Sequence, residues 1–119
     1  MKHYLILFYF VICSISVYSQ ETYVCSAELT DFGSPGKYEK KTYERIEGYF
    51  LKTSNAGTKS VFIIADETES FITLVNSTKR YPSVFLTFID KKNGTFYEQY
   101  INPDTPIGQP LKGEYIIKN

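Results

Sequence analysis

The sequence contains no tryptophan, one histidine and two cysteines, and its 13 basic residues balance its 13 acidic residues. The histidine, His3, and one of the cysteines, Cys13, both lie near the N-terminus. A nucleic-acid-binding surface needs a local excess of Lys and Arg. The charge balance therefore argues against nucleic acid as a partner.

The N-terminal segment has the pattern of a signal peptide. A short basic start with Lys2 precedes an unbroken apolar run over residues 4–13. The run reaches only about 15 residues even when extended to Tyr18, whereas a bilayer-spanning helix needs roughly 20. Small residues at the end of such a segment mark a cleavage site. We therefore predict a signal peptide over residues 1–19, cleavage between Ser19 and Gln20, and contact with a membrane only during export.

Cleavage would leave one domain, residues 20–119, with Cys25 as its single cysteine and without histidine. Ser-His-Asp and Cys-His catalysis need an imidazole that takes the proton of the nucleophile, and structural zinc sites need about four Cys or His ligands. We accordingly predict no catalytic, metal-binding or cofactor-binding residues. Cys25 is expected to be a buried, small apolar side chain, with an intermolecular disulfide or a reactive thiol as alternatives.

Residues 59–90 form the predicted centre of the fold. Three apolar runs, at 61–65, 71–75 and 84–89, are rich in Val, Ile, Phe and Thr and are separated by turn-forming residues. This composition predicts three adjacent buried strands. The runs at 71–75 and 84–89 are apolar on both faces, so we expect something to cover their second face: another sheet, the far wall of a barrel, a ligand or a partner.

Shorter alternating segments extend this centre on both sides. Residues 21–29 and 95–101 alternate in polarity, residues 112–118 end the chain as a strand, and Asn93-Gly94 predicts a tight hairpin. Residues 30–41 are predicted to be a loop. Residues 42–53 fit either a strand or a helix, and their aromatic content favours a strand.

These segments predict an all-β protein of about seven strands. Most connections are short, which favours antiparallel pairing of sequential strands. The expected architecture is a small antiparallel β-sandwich or a closed barrel, and the pattern does not distinguish the two.

Four residues are candidates for a functional site. Glu98 shares a strand face with Phe96 and Tyr100, where partial burial would raise the pKa of its carboxyl group, although an exposed position is the simpler interpretation. Tyr97 and Tyr100 have the amphipathic character common at binding surfaces, but they fall on opposite faces of one strand. Cys25 is the fourth candidate.

Asn76 and Asn93 each begin an Asn-X-Thr sequon. In a eukaryotic secretory pathway both would be glycosylation sites, because both lie at strand ends or turns. The high content of Lys, Ile, Tyr and Asn is more typical of a bacterial protein, in which these sequons would have no role.

The predicted function follows mainly from what the sequence excludes. We expect an exported, secreted or periplasmic, non-catalytic β-domain that binds a protein or glycan of the cell envelope or extracellular space. One alternative is a small β-barrel that encloses a small apolar ligand, because strands apolar on both faces would line a cavity. Another is a small carboxylate-dependent hydrolase or lyase, which would use two acidic residues.

Overall fold

The computed structural model describes residues 21–29, 33–78, 83–104 and 108–118. The predicted signal peptide and its cleavage site, Ser19 and Gln20, lie outside these ranges. The described residues form eight strands, β1 to β8 in chain order: Thr22–Leu29, Ser34–Ile46, Tyr49–Thr53, Lys59–Glu67, Phe71–Thr78, Ser83–Asp90, Thr95–Ile101 and Leu111–Lys118.

The strands form a closed antiparallel barrel in which each strand pairs with its neighbours in sequence. The barrel closes where Thr22–Ser26 of β1 pair with Lys118–Glu114 of β8. The all-β fold is confirmed, and of the two predicted architectures the closed barrel is the one found. Side chains of one parity along each strand fill the interior, as expected when a small barrel closes on itself.

The segment of uncertain structure, residues 42–53, consists of strands rather than a helix. The end of β2 and all of β3 form a hairpin whose turn contains Glu47, with a φ of 49°, and Gly48. The predicted loop at residues 30–41 is wrong from Ser34 onward, because β2 begins there and pairs with β1. The structure has eight strands rather than seven because the turn at Glu47 and Gly48 divides the single strand predicted over residues 42–53 between β2 and β3.

The core is aromatic and aliphatic. Phe62, Ile72, Leu74 and Ile89, which come from the strands predicted to be central, are essentially inaccessible. The other buried apolar residues are contributed by the remaining strands: Tyr23, Cys25, Ala27, Tyr43, Phe50, Phe96 and Leu111. One face of each central strand therefore packs in the barrel interior, as expected.

The second apolar face of the central strands forms the outer wall of the barrel. Val61, Ile63, Phe71 and Phe88 point outward and remain 37–60% exposed. Cross-strand pairing joins these strands into one surface, with Ile63 beside Val75 and Phe88 beside Tyr97. Within the described part of the chain nothing covers this wall.

The strands β7, β8 and β1 pack closely around Gly113. A Cβ atom at this position would lie 2.1 Å from the carbonyl oxygen of Ser26 and 2.8 Å from the ring of Phe96, its cross-strand partner. Only glycine fits here, because a Cβ would collide with the backbone of β1.

The barrel has two different ends. The closed end contains the turns after β2, β4 and β6 together with the two termini of the described barrel, Thr22 and Lys118. At the opposite end, which we call the mouth, β1, β3, β5 and β7 end and β2, β4, β6 and β8 begin. In the described chain no helix is long and apolar enough to cross a membrane.

Candidate functional site

Three charged side chains meet inside the barrel near its mouth. Lys41 of β2, Lys52 of β3 and Glu98 of β7 are only 6–7% exposed. Strand alternation explains their position: Lys41 is two residues before buried Tyr43, and Glu98 is two residues after buried Phe96. We call Lys41, Lys52 and Glu98 the interior charge cluster.

Glu98 is the centre of this cluster because it contacts both lysines. Its Oε1 accepts a hydrogen bond from Lys41 Nζ. Its Oε2 accepts one from the Tyr43 hydroxyl at 2.6 Å and lies 3.2 Å from Lys52 Nζ. The carboxylate is therefore paired with two cations and a neutral donor, as a buried charge must be to be tolerated.

Neutral polar groups complete the surroundings of the cluster. The Tyr43 hydroxyl also lies 3.0 Å from Thr87 Oγ1, and Thr87 is fully buried. Lys52 Nζ lies 5.2–5.9 Å from the ring centroids of Tyr43, Phe62 and Phe85. The ammonium group therefore lies over the faces of three aromatic rings, in cation–π geometry. Throughout the described structure, no buried side-chain nitrogen or oxygen is left without a hydrogen-bond partner.

Burial and charge act in opposite directions on the pKa of Glu98. Burial raises it, but the positive charges of Lys52 and Lys41 and the hydrogen bonds from Lys41 and Tyr43 prevail, so the pKa lies below its usual value. The sequence-based expectation of an exposed carboxyl group, or of one with a raised pKa, is wrong. Glu98 is held as a carboxylate, which does not suit the role of a general acid.

Burial also shifts the pKa of the neighbours of Glu98. It lowers the pKa of Lys52, against the attraction of Glu98. It raises that of Tyr43 well above its usual value, and the nearby carboxylate adds to the effect. The Cys25 thiol is fully buried and its pKa rises to about 12, mainly through burial, so it is neutral at physiological pH.

A cavity of about 150 Å³ lies over the cluster at the mouth. Its floor is formed by buried Lys41 and Glu98, and buried Leu111 forms part of its wall. Its rim is formed by more exposed side chains from β1, β2, β7 and the segment before β8: Leu29, Glu39, Tyr100 and Gln109. The floor is thus charged, whereas Leu29 and Leu111 supply apolar walls.

Glu39 connects the rim to the cluster. Its Oε1 lies 3.3 Å from Lys41 Nζ, and its side chain is 34% exposed, against 8% for that of Glu98. Lys41 therefore has one carboxylate below it, fixed in the interior, and a second one above it that reaches solvent.

Charged residues also cover the closed end, but there they lie at the surface. Arg45 donates to both oxygens of Glu67, at 3.1 and 2.5 Å, and lies 3.4 Å from Glu21. Lys91 Nζ adds a contact to Glu67 at 3.1 Å. The Arg45 guanidinium stacks 4.8 Å from the centre of the Phe50 ring. We call this group of Glu21, Arg45, Glu67 and Lys91 the surface lid.

A second cavity lies on the outer wall. It has a volume of about 510 Å³, and the residues that line it include Phe71, Phe88, Tyr97, Lys112 and Glu114. Tyr97 packs edge-on against Phe88 at 6.1 Å between ring centroids, and Lys112 Nζ lies 5.7 Å from the Tyr97 ring centroid. Like the cavity at the mouth, it is open to solvent rather than enclosed.

The structure separates the four candidate residues. It places Glu98 in the interior charge cluster and Tyr100 at the rim of the mouth, whereas Tyr97 lies on the outer wall and Cys25 is sealed in the core. The two lysines of the cluster, Lys41 and Lys52, were missed. Their alternation with buried Tyr43 and Phe50 was the available signal, but a lysine in such a position is ordinarily expected at the surface.

The two sequon asparagines occupy different environments. Asn76 is partly buried, and its side-chain amide donates to the carbonyl of Val61 at 2.7 Å. Asn93 is exposed in the turn after β6 and donates to the Asp90 carboxylate at 2.7 Å. Glycosylation at either position stays a prediction.

No group of three or more His, Cys, Asp or Glu side chains within the described ranges is arranged to hold a metal ion. Comparisons with protein-family models, with curated proteins and with solved structures found no match to this chain. The function is therefore inferred from the chemistry of the mouth and of the outer wall.

Proposed function

We propose that the protein is a non-catalytic binding module that takes a small molecule into the mouth of its barrel. The observation that carries the proposal is the interior charge cluster, which lies directly beneath the cavity at the mouth. Mouths of small barrels are common ligand sites, because the strands supply a rigid frame and the loops leave an opening.

The energetic cost of the cluster supports a functional role. Removing two ammonium groups and a carboxylate from water costs several kcal/mol per ion, and pairing them seldom does better than apolar side chains of the same size. A core built from apolar residues at these positions would fold at least as well. Strongly perturbed ionisable groups in a cleft are therefore candidates for a functional site.

The size and lining of the cavity restrict the ligand. Below the cluster the barrel is filled by large side chains such as Tyr43, Phe50 and Phe62, so a ligand stays near the mouth. A floor that contains Lys41 and Glu98 favours a polar or charged group at the deep end. This modifies the expectation of an apolar ligand: apolar contact is offered by the walls, not by the floor.

A fragment screen on the mature chain, monitored by the backbone amide signals in NMR, tests the proposal. Ligands should shift amide signals of residues at the mouth, such as Lys41, Glu98 and Leu111, and should leave those of the surface lid unchanged. A screen in which no compound shifts the mouth signals would contradict the proposal. The hydrolase alternative has little support, because Glu98 is paired as an ionised carboxylate rather than held protonated.

Export remains part of the proposal. It depends on the pattern of residues 1–19, and it would place the mouth in the periplasm or outside the cell. The intact mass of the protein recovered from the exported fraction tests it. A chain that begins at Gln20 would support export, and an exported chain that retains Met1 would contradict the cleavage site.

A second candidate function, association of two copies of this chain, is favoured by the outer wall. Along β4, exposed Lys59 precedes apolar Val61 and Ile63, and exposed Asp66 follows them. A two-fold axis through the apolar centre would bring Lys59 of each copy toward Asp66 of the other. The wall is thus complementary to itself in both apolar character and charge, as a symmetric interface requires.

Sedimentation equilibrium tests this candidate. The wild-type chain should be dimeric at about 100 µM, well above the Kd of even a micromolar dimer. Ile63→Lys, in the centre of the patch, should make it monomeric. Ile116→Lys replaces an equally exposed isoleucine on β8 and should leave the dimer intact. A monomeric wild-type chain would eliminate the candidate.

A further inference from the structure

We infer that the mouth binds a short aliphatic carboxylate, which replaces the Glu39 carboxylate on Lys41. The inference rests on the proposed function and makes it specific, since it assigns the chemical class of the ligand and a residue that competes with it. It follows from the arrangement of charges around Lys41 Nζ and from the walls of the cavity.

Of the two carboxylates that contact Lys41, Glu39 is the exchangeable one. Glu98 is fixed in the interior by Lys41, Lys52 and Tyr43. Among the described residues Glu39 has one ion-pair contact, to Lys41 at 3.3 Å, and a third of its side chain is exposed. Its partner Lys41 is buried, but the Glu39 carboxylate reaches water and regains hydration when it turns away. Glu39 therefore leaves Lys41 at lower cost than Glu98, which is almost inaccessible to water.

Departure of Glu39 from Lys41 changes the balance of charge at the mouth. When Glu39 turns into solvent, two buried lysines remain with one buried carboxylate, so the site lacks one negative charge. A ligand carboxylate takes the place of the Glu39 carboxylate beside Lys41, so two carboxylates again accompany the two lysines. An amine in the same place would add a third cation, and an alcohol would supply no negative charge to replace that of Glu39.

The side chains around Lys41 restrict the remainder of the ligand. Leu29 and Leu111 form apolar walls above Lys41, and the Tyr100 ring lies at the rim. A volume of about 150 Å³ accommodates roughly five water molecules at about 30 Å³ each. A carboxylate with a chain of a few carbon atoms fits this space, and its chain would contact the two leucines.

Butyrate is the probe that tests the inference, in titrations followed by NMR on wild-type and variant chains. We expect saturable shifts at Lys41 and Leu111 with butyrate, and none with 1-butanol or butylamine. Glu39→Gln removes the competing carboxylate and should tighten butyrate binding up to about fivefold. Glu44→Gln removes the same charge from the outer side of β2 and should leave the affinity unchanged.

Lys41→Met should weaken butyrate binding at least tenfold, because it removes the cation that the ligand meets. If that variant does not fold, the comparison of Glu39→Gln with Glu44→Gln decides alone. An acetyl-dialanine peptide, which carries the same carboxylate on a polar chain, should bind more weakly than butyrate. Tighter binding of the peptide would overturn the assignment to a free aliphatic acid.

The outcomes separate this inference from the proposed function. If butyrate does not bind while other fragments shift the mouth signals, the ligand class is wrong and the binding function stands. If butyrate binds equally to wild type and Glu39→Gln, Glu39 is not a competitor and the inference is overturned in that part. If no compound binds at the mouth, both proposals fail.

Discussion

The two ends of the barrel use the same residue types in opposite ways. At the closed end, Arg45 and Lys91 pair with Glu67 at the surface, where the Arg45 and Glu67 side chains are 17% and 31% exposed. At the mouth, Lys41 and Lys52 pair with Glu98 in the interior, where all three are nearly inaccessible. Each end thus has two cations on one central carboxylate.

The difference lies in the water that each group loses. The surface lid keeps partial hydration, so its ion pairs form with little desolvation penalty and contribute little to the free energy of unfolding. The interior charge cluster loses nearly all hydration, so its members depend on one another. The lid covers an aromatic core, whereas the cluster faces a cavity, and this is why we place function at the mouth and not at the lid.

Glu98→Gln should give the largest loss of stability. The amide keeps the shape of the side chain but leaves Lys41 and Lys52 buried without a full negative charge between them. Breaking a buried pair in this way costs about 3–5 kcal/mol. Urea unfolding followed by circular dichroism measures the change, with Glu114→Gln on exposed β8 as the control, expected within about 0.5 kcal/mol. A loss below about 1 kcal/mol would show that the cluster is hydrated.

The triple variant Lys41→Met, Lys52→Met and Glu98→Leu should be as stable as the wild-type chain, or more stable by about 1–4 kcal/mol, because apolar residues of similar volume replace a buried ionic network. The same urea experiment measures it, and the variant should no longer bind butyrate. A strongly destabilised triple variant would mean that the cluster serves the fold, which would remove the energetic argument for a functional mouth.

Acid should destabilise the wild-type chain more than the Glu98→Gln variant. The folded pKa of Glu98 lies below its usual value of 4.5, so the stability it contributes is complete above that pH and is lost as the pH falls through the folded pKa. Urea unfolding at a series of pH values below 4.5 measures the slope, which should be flatter in Glu98→Gln. Equal slopes in the two chains would place the acid sensitivity elsewhere.

Glu67→Gln should have the smallest effect, at most about 1 kcal/mol, because the surface lid remains partly hydrated. The arginine and lysine that lose their partner can turn toward water, which the two buried lysines of the cluster cannot do. Thermal unfolding at low and high salt measures the change, and salt should reduce the difference from wild type. A loss as large as that of Glu98→Gln would remove the distinction between the two ends.

Sequence patterns predicted the central strands well and the charge cluster poorly. Residues 71–75 and 84–89 lie within β5 and β6, because long apolar runs favour strands regardless of context. The start of β2 was missed because Gly33, Pro35 and Gly36 are typical of loops, and its strand structure depends on pairing with β1. That pairing is a tertiary effect that local composition does not contain.

Glu98 was identified as a candidate for a sound reason but with the wrong chemistry. Its aromatic neighbours Phe96 and Tyr100 indicated the inward face, and burial alone would raise its pKa. The two lysines that reverse this effect come from β2 and β3, which are 46 or more residues away in sequence. Only closure of the barrel brings them within contact distance of Glu98.

The pairing of β1 with β8 also determines how the protein can be attached to something else. Thr22 and Lys118 are cross-strand partners at the closed end, so both ends of the barrel domain emerge on the side opposite the mouth. A tag, a surface anchor or a fused domain joined at either terminus would orient the barrel with its mouth outward. Immobilisation through a terminus should therefore leave the mouth accessible, which makes the chain suited to surface-based binding assays and to display.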